Sequence, residues 1–211
     1  MPQAEEGTTR SQLVQMLRTR GSSSIAELAR PLGITEMAVR RHIHSLEKDG
    51  LVSSSLLKQA MGRPSYRYRL TERADELFPK NYPHLTLELL GELEEVSGEA
   101  IIGQLFEGRK RKLEAKYKDR MENKGLEEKV AELAGIQNAG GYMAEWEAAG
   151  DGSYRLHEYN CPIAQVANRY REACRCEKRL FGDLLDADVE RTECLADGGM
   201  RCTYLIRAAK G

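Results

Sequence analysis

The stretch from Ile25 to Leu70 constrains this chain most. Two short helical patterns are separated by Gly33, and Thr35 is placed to cap the second. In that second pattern Val39, Ile43 and Leu46 recur at helical spacing, which turns them inward together. The same spacing sends Thr35, Glu36, Arg40, Arg41 and His44 outward. Asp49-Gly50 stops the helix, Leu51-Val52 begins an extended run, and Tyr66 to Leu70 forms a second one. The tip between them carries Lys58, Gly62, Arg63 and Pro64. Two helices across a tight turn, followed by a basic hairpin, make a winged helix-turn-helix. Such a module presents the N-terminal part of its second helix to base edges in the major groove. The expected contacts are Arg40, Arg41 and His44 in the groove, with Thr35 and Glu36 beside them. Lys58 and Arg63 would lie on the wing against phosphates or the minor groove. A small three-helix subdomain without nucleic acid is the plainer alternative.

Net charge does not announce a DNA partner, because the whole chain carries only −1. Its distribution does: residues 30–73 hold nine Lys/Arg against four acids, a local +5, which leaves −6 for the remainder. A basic module on an acidic body is the electrostatic footprint expected of a regulator on a double-stranded operator. No stretch has the roughly 18 apolar residues of a membrane helix. Residues 1–11 lack the apolar core of a signal peptide. A cytoplasmic protein without membrane contact is expected.

The fold class expected is mainly α with an α+β C-terminal part. Residues 1–80 would form the winged helix-turn-helix domain, including a helix over Ser11 to Arg20. Residues 81–123 would form a central long helix serving as linker and dimer seam. Its apolar stripe is Leu85, Leu89, Val96 and, past Gly98, Ile101, Ile102 and Leu105. Homodimers suit winged-helix regulators because two half-sites match a two-fold axis. The mixed charge from Glu107 to Lys118 reads as a solvated helix face. Residues 124–211 would form a helix–hairpin–helix–hairpin sensor domain. Its turns lie at Gly150-Asp151-Gly152 and Asp197-Gly198-Gly199.

All five cysteines, Cys161, Cys174, Cys176, Cys194 and Cys202, lie in the last quarter of the chain. In a reducing compartment such clustering favours metal or redox chemistry over disulfides. All-thiolate ligation suits zinc or an iron–sulfur cluster, and the C-x-x-C pairs of structural zinc are absent. Ordinary burial of small hydrophobes is the alternative, with no cofactor at all. Geometry sets a condition on any shared site. Cys161 and Cys174 are 13 residues apart, which a straight helix would stretch to roughly 20 Å. A break near Arg169 to Ala173 is therefore expected, between helices of about 163–169 and 174–186. A helix N-terminus there would favour the Cys174 thiolate. Cys174 and Cys176 would point to different faces. Cys194 and Cys202 could face one another across the last hairpin. A Cys nucleophile with His157 lacks any accompanying motif, so an enzyme is not expected.

With these residues in view, the chain resembles the SufR-like iron–sulfur transcriptional repressors, a winged-helix family near the DeoR and ArsR types. The resemblance spans nearly the whole length. It rests on A-E-L-A-R-P-L-G-I-T-E-M-A-V-R-R-H-I, D-G-L-V, G-R-P-S-Y-R-Y-R-L-T, G-Y-M-A-E-W-E and N-C-P-I-A-Q-V-A. It continues through Cys174-Arg-Cys-Glu177-Lys-Arg-Leu180-Phe181 and the terminal R-C-T-Y. It implies a homodimeric repressor of iron–sulfur assembly genes carrying a 4Fe–4S cluster whose state alters operator affinity. By position it implies Cys161, Cys174 and Cys202 as ligands. Cys194 is our choice for the fourth, since it shares a hairpin with Cys202; Cys176, His157 or a nearby acid are the alternatives. Zinc, thiol redox state or a small ligand remain other signals that such a regulator could sense.

Overall fold

The computed structural model describes residues 8–57 and 65–209. The chain divides into two compact units, residues 1–80 and 81–211.

In the first unit, helix α1 (Thr9–Arg20) is capped by Thr8, whose hydroxyl accepts from Ser11 N–H at 3.2 Å. Helix α2 (Ile25–Leu32) starts from a capping box. Ser24 N–H donates to the Glu27 carboxylate at 2.7 Å, and Glu27 N–H donates to Ser24 Oγ at 3.3 Å. It ends where Gly33 takes φ +63, a left-handed conformation that glycine adopts without strain. Helix α3 (Glu36–Lys48) begins at Thr35, whose hydroxyl accepts from Ala38 N–H at 3.2 Å. Strands β1 (Val52–Leu57) and β2 (Ser65–Leu70) pair antiparallel, Val52 opposite Leu70. Leu13, Leu17, Leu28, Val39, Ile43 and Leu46 form a fully buried core. Each such side chain contributes roughly 1.5–3 kcal/mol relative to exposure.

The second unit contains helices α4 (Tyr82–Ser97), α5 (Ala100–Tyr117) and α6 (Leu126–Ala139). Strands β3 (Ala144–Ala148) and β4 (Tyr154–Glu158) come next, then helices α7 (Ala164–Arg169) and α8 (Glu172–Leu185). Strands β5 (Ala187–Glu193) and β6 (Cys202–Ala208) end the unit. The two expected hairpins join into one antiparallel sheet of order β3-β4-β6-β5. Phe181 of α8 meets Tyr204 of β6 edge-on, ring centres 4.9 Å apart, in a core shared with Leu133, Leu156 and Ile206.

The central helix departs from expectation. Gly98, at φ +80, divides it into α4 and α5, and the apolar stripe divides with it. Ile102 and Phe106 of α5 are buried in the second unit's core. Helix α4 buries none of its residues and leaves Leu85, Leu89 and Val96 exposed, Val96 at 83 %. Among the described residues, no helix is long and apolar enough to cross a membrane.

Candidate functional site

In the first unit, α3 arranges its outward residues as its inward ones require. Val39, Ile43 and Leu46 are buried, so Thr35, Glu36, Arg40, Arg41 and His44 are all exposed on the remaining face. Arg40 lies 3.6 Å from Glu36 one turn back, an exposed pair that restrains the guanidinium weakly. Met37, 68 % exposed in the first turn, shares that surface and was missed by a reading that looked only for polar contacts. Lys58 and Arg63 lie outside the described residues.

In the second unit, Cys161, Cys174, Cys194 and Cys202 all line one cavity of about 270 Å3. The break that this requires is present. Helix α7 ends at Tyr170, whose backbone is extended at φ −115 and ψ 93, and α8 starts two residues later. This corner shortens the path between Cys161 and Cys174. Cys176 points elsewhere: Arg179 Nη2 donates to its sulfur at 3.2 Å, and its thiol donates to Glu107 Oε2 at 3.7 Å.

Cys194 and Cys202 are neighbours at the end of the last hairpin, their side chains within hydrogen-bonding reach, although Cys194 lies one residue past β5. The β5–β6 register shifts between Arg191 and Glu193 so that Glu193 lies opposite Thr203, which brings Cys194 into line with Cys202, while Glu158 of β4 pairs with Cys202 on the other side of β6. Cys194 lies beyond β5, at the head of the 3-10 turn Leu195–Asp197. Gly199 N–H closes that turn onto Cys194 O at 2.9 Å, and Leu195 N–H donates to Cys202 Sγ at 3.4 Å. The turn therefore fixes Cys194 beside Cys202 at the cavity.

Cys161, Cys174 and Cys202 favour the protonated form. Burial pushes Cys202 up to about 12, opposed by the Leu195 N–H and reinforced by Cys194 and Glu158. Burial also pushes Cys174 up to about 11, with Cys194 adding and Arg191 opposing. Cys161 rises for the same first reason. The expected thiolate-favouring helix end at Cys174 is thus outweighed by loss of water.

A polar network behind the thiols went unnoticed in the sequence. Glu158 and Glu177 line the same cavity. Gln137 Nε2 donates to Glu158 at 2.6 Å, and Tyr204 OH donates to Glu177 at 3.1 Å. Burial, then repulsion from Glu177, pushes Glu158 up to about 8, and burial raises Glu177 as well. Arg191 is the cation beside them, its Nη1 donating to Cys174 O at 3.2 Å. One signal was available: Glu177 follows Cys174 by three residues on a helix, hence on the same face. Nothing in the sequence marks Arg191. His157 sits one residue from Glu158 on β4 but turns to the other side, 3.1 Å from Thr203 Oγ1.

The donor set suits a soft metal centre, and its spread matters. Among the described residues, no three His, Cys, Asp or Glu side chains are gathered closely enough to hold one metal ion. The cavity that the thiols surround, about 270 Å3, is several times the ~30 Å3 share of a single water. Cys161, Cys174, Cys194 and Cys202 are the residues that would hold a metal centre there.

Comparison with known proteins bears on the first unit. No curated protein matches the chain. Among solved structures, RV1404 from Mycobacterium tuberculosis is similar at 22% identity over 65% of this chain and 76% of that one, TM-score 0.31. PadR of Bacillus subtilis in complex with operator DNA is similar at 14% identity over 82% of this chain and 98% of that one, TM-score 0.29. Residues 9–55, from α1 into β1, match a family model described as an HTH domain. The chain therefore carries a helix-turn-helix domain, the DNA-binding domain of transcription regulators.

Proposed function

We propose that this chain is a homodimeric transcriptional repressor whose operator affinity responds to an iron–sulfur cluster, 4Fe–4S by resemblance, held by Cys161, Cys174, Cys194 and Cys202. The targets implied by the same resemblance are iron–sulfur assembly genes. The observation that carries the reading is convergence: four cysteines from separate segments line one cavity, and the fifth turns away. When bound, such a group supplies a redox-sensitive, oxygen-labile link between thiolates. The chain's own residues do the rest. Cys161 precedes α7, Cys174 lies in α8, Cys194 heads the 3-10 turn, and Cys202 opens β6. Joined at one centre, they restrain the α7–α8 corner. Arg191 offsets negative charge on the cavity wall.

That corner touches α4. Tyr170 OH donates to Glu94 at 3.2 Å, so order at the thiols bears on the helix that carries the unpartnered Leu85, Leu89 and Val96. We assign those residues to the dimer contact, and the spacing of two α3 helices to its geometry. Arg40, Arg41 and His44 read the operator, with Thr35 and Glu36 at its edge and Lys58 and Arg63 on the wing. The test is anaerobic reconstitution followed by absorption spectroscopy, iron and sulfide analysis, and operator titration of loaded and metal-free protein. A coloured protein with iron and sulfide in near-equal amounts is expected. The two forms should differ in affinity by roughly 5–150-fold, the range of a useful coupling. A colourless protein binding zinc, or equal affinities, would sink the switch.

A further inference from the structure

A second cavity in the second unit has no role in the reading above. It measures about 610 Å3 and lies among α4, α5 and the segment Cys161–Val166. That is within the roughly 300–1,000 Å3 of small-molecule sites. Leu90, Leu105, Phe106, Ile163 and Val166 give it apolar walls. The charged group among its lining residues is Arg109, three residues past Phe106 and so on the same face of α5. The next residue, Lys110, is engaged by Glu114 and Asp183. Arg109 makes no hydrogen bond or salt bridge among the described residues, though its charge reaches buried Glu177. An open apolar pocket bordered by one exposed guanidinium that no hydrogen bond or salt bridge holds is complementary to a molecule with an apolar body and one anionic end.

We propose that this cavity binds an amphipathic monocarboxylate, its apolar body between α4 and α5 and its carboxylate on Arg109. Cys161 and Ala164 border both this cavity and the thiol cavity, so the occupant bears on a backbone segment that positions a thiol. Binding here does not require a cluster at the thiols, so the metal-free chain can test it.

The test uses the full chain, reduced and metal-free, titrated calorimetrically with decanoate below its micellar concentration. One decanoate per chain is expected. Arg109→Met should weaken binding about tenfold or more, the worth of a charge-assisted hydrogen bond, and Arg109→Lys should retain part of the affinity. Thr86 is exposed and lines the cavity, so Thr86→Trp should fill the space and abolish binding without disturbing the core. The proposal is overturned by absence of saturable binding, by Arg109→Met binding as tightly as the parent, or by Thr86→Trp leaving binding intact. It is also overturned if decanoate fails to bind and Thr86→Trp dissociates a dimer in sedimentation, which would make a second copy of the chain the occupant.

Discussion

Glu158 and Glu177 show how much one buried contact can set at the scale of single residues. Burial, then repulsion from Glu177, raises the Glu158 carboxyl, and burial raises Glu177, so the pair favours keeping a proton at neutral pH. The folded chain holds the Glu158 proton up to about pH 8, whereas an unperturbed glutamate releases it near 4.5. Between those values the native state binds more protons than the unfolded one, so stability falls as pH rises. Urea unfolding of the reduced, metal-free chain, followed by the single tryptophan Trp146 on β3, should show that decline from pH 5 to 8. Glu158→Gln, which keeps an acceptor for Gln137, should flatten the profile. A slope unchanged by the substitution would mean another group carries the proton. The raised thiols of Cys174 and Cys202 carry a related consequence: loading any metal centre must release protons, so loading should improve with rising pH.

The determining features at the scale of elements are ends and turns. Thr35 starts α3, and its side chain satisfies an amide that would otherwise lack a partner. Thr35→Ala should cost about 1 kcal/mol of helix stability. Amide exchange in the first turn of α3 should quicken, while Thr35→Ser, which keeps the oxygen, should resemble the parent. The turn after β5 is tighter. A Cβ at Gly199 would meet Glu193 Cγ at 2.8 Å and Cys194 O at 2.9 Å. The second contact is backbone, which cannot swing aside. Gly199→Ala should therefore cost about 1–3 kcal/mol and displace Cys194. Iron incorporation per chain should drop while binding of operator DNA by the metal-free form stays unchanged. Full iron incorporation would show that Cys194 is not a ligand.

Across the whole molecule, the proposed switch requires a path from the thiols to the helix-turn-helix. The route offered by the second unit runs from the α7–α8 corner through Tyr170 to Glu94 on α4. Tyr170→Phe removes the hydroxyl and keeps the ring, at about 0.5–1.5 kcal/mol for one hydrogen bond. Iron content should be unaltered, and the affinity ratio between loaded and metal-free forms should shrink severalfold. An unaltered ratio would place the coupling elsewhere. Leu89, 61 % exposed on α4, tests the other end. Leu89→Glu should shift sedimentation from dimer to monomer and weaken operator binding, because a single α3 then meets a single half-site.

Periodicity and punctuation made much of this legible in advance. Val39, Ile43 and Leu46 face inward because a helix repeats every 3.6 residues, whatever surrounds it. Gly33, Thr35 and Asp49-Gly50 mark boundaries through local backbone chemistry alone. Even the α7–α8 break could be stated beforehand, since chain geometry forbids two thiols from meeting across 13 straight helical residues. Other features had no local signature. The division of the apolar stripe at Gly98 depends on α5 burying Ile102 and Phe106 in a core that α4 reaches only with the half-buried Leu87 and Leu90. The joining of two hairpins into one sheet depends on β4 accepting β6. The register shift that lines Cys194 up with Cys202, and the meeting of Glu158, Glu177 and Arg191 from β4, α8 and β5, are set by packing between segments distant in sequence. Helix and turn propensities are properties of neighbouring residues, so the chain displays them directly. A shared cavity is a property of what remains after every element has buried its own apolar face, and only the folded structure decides that.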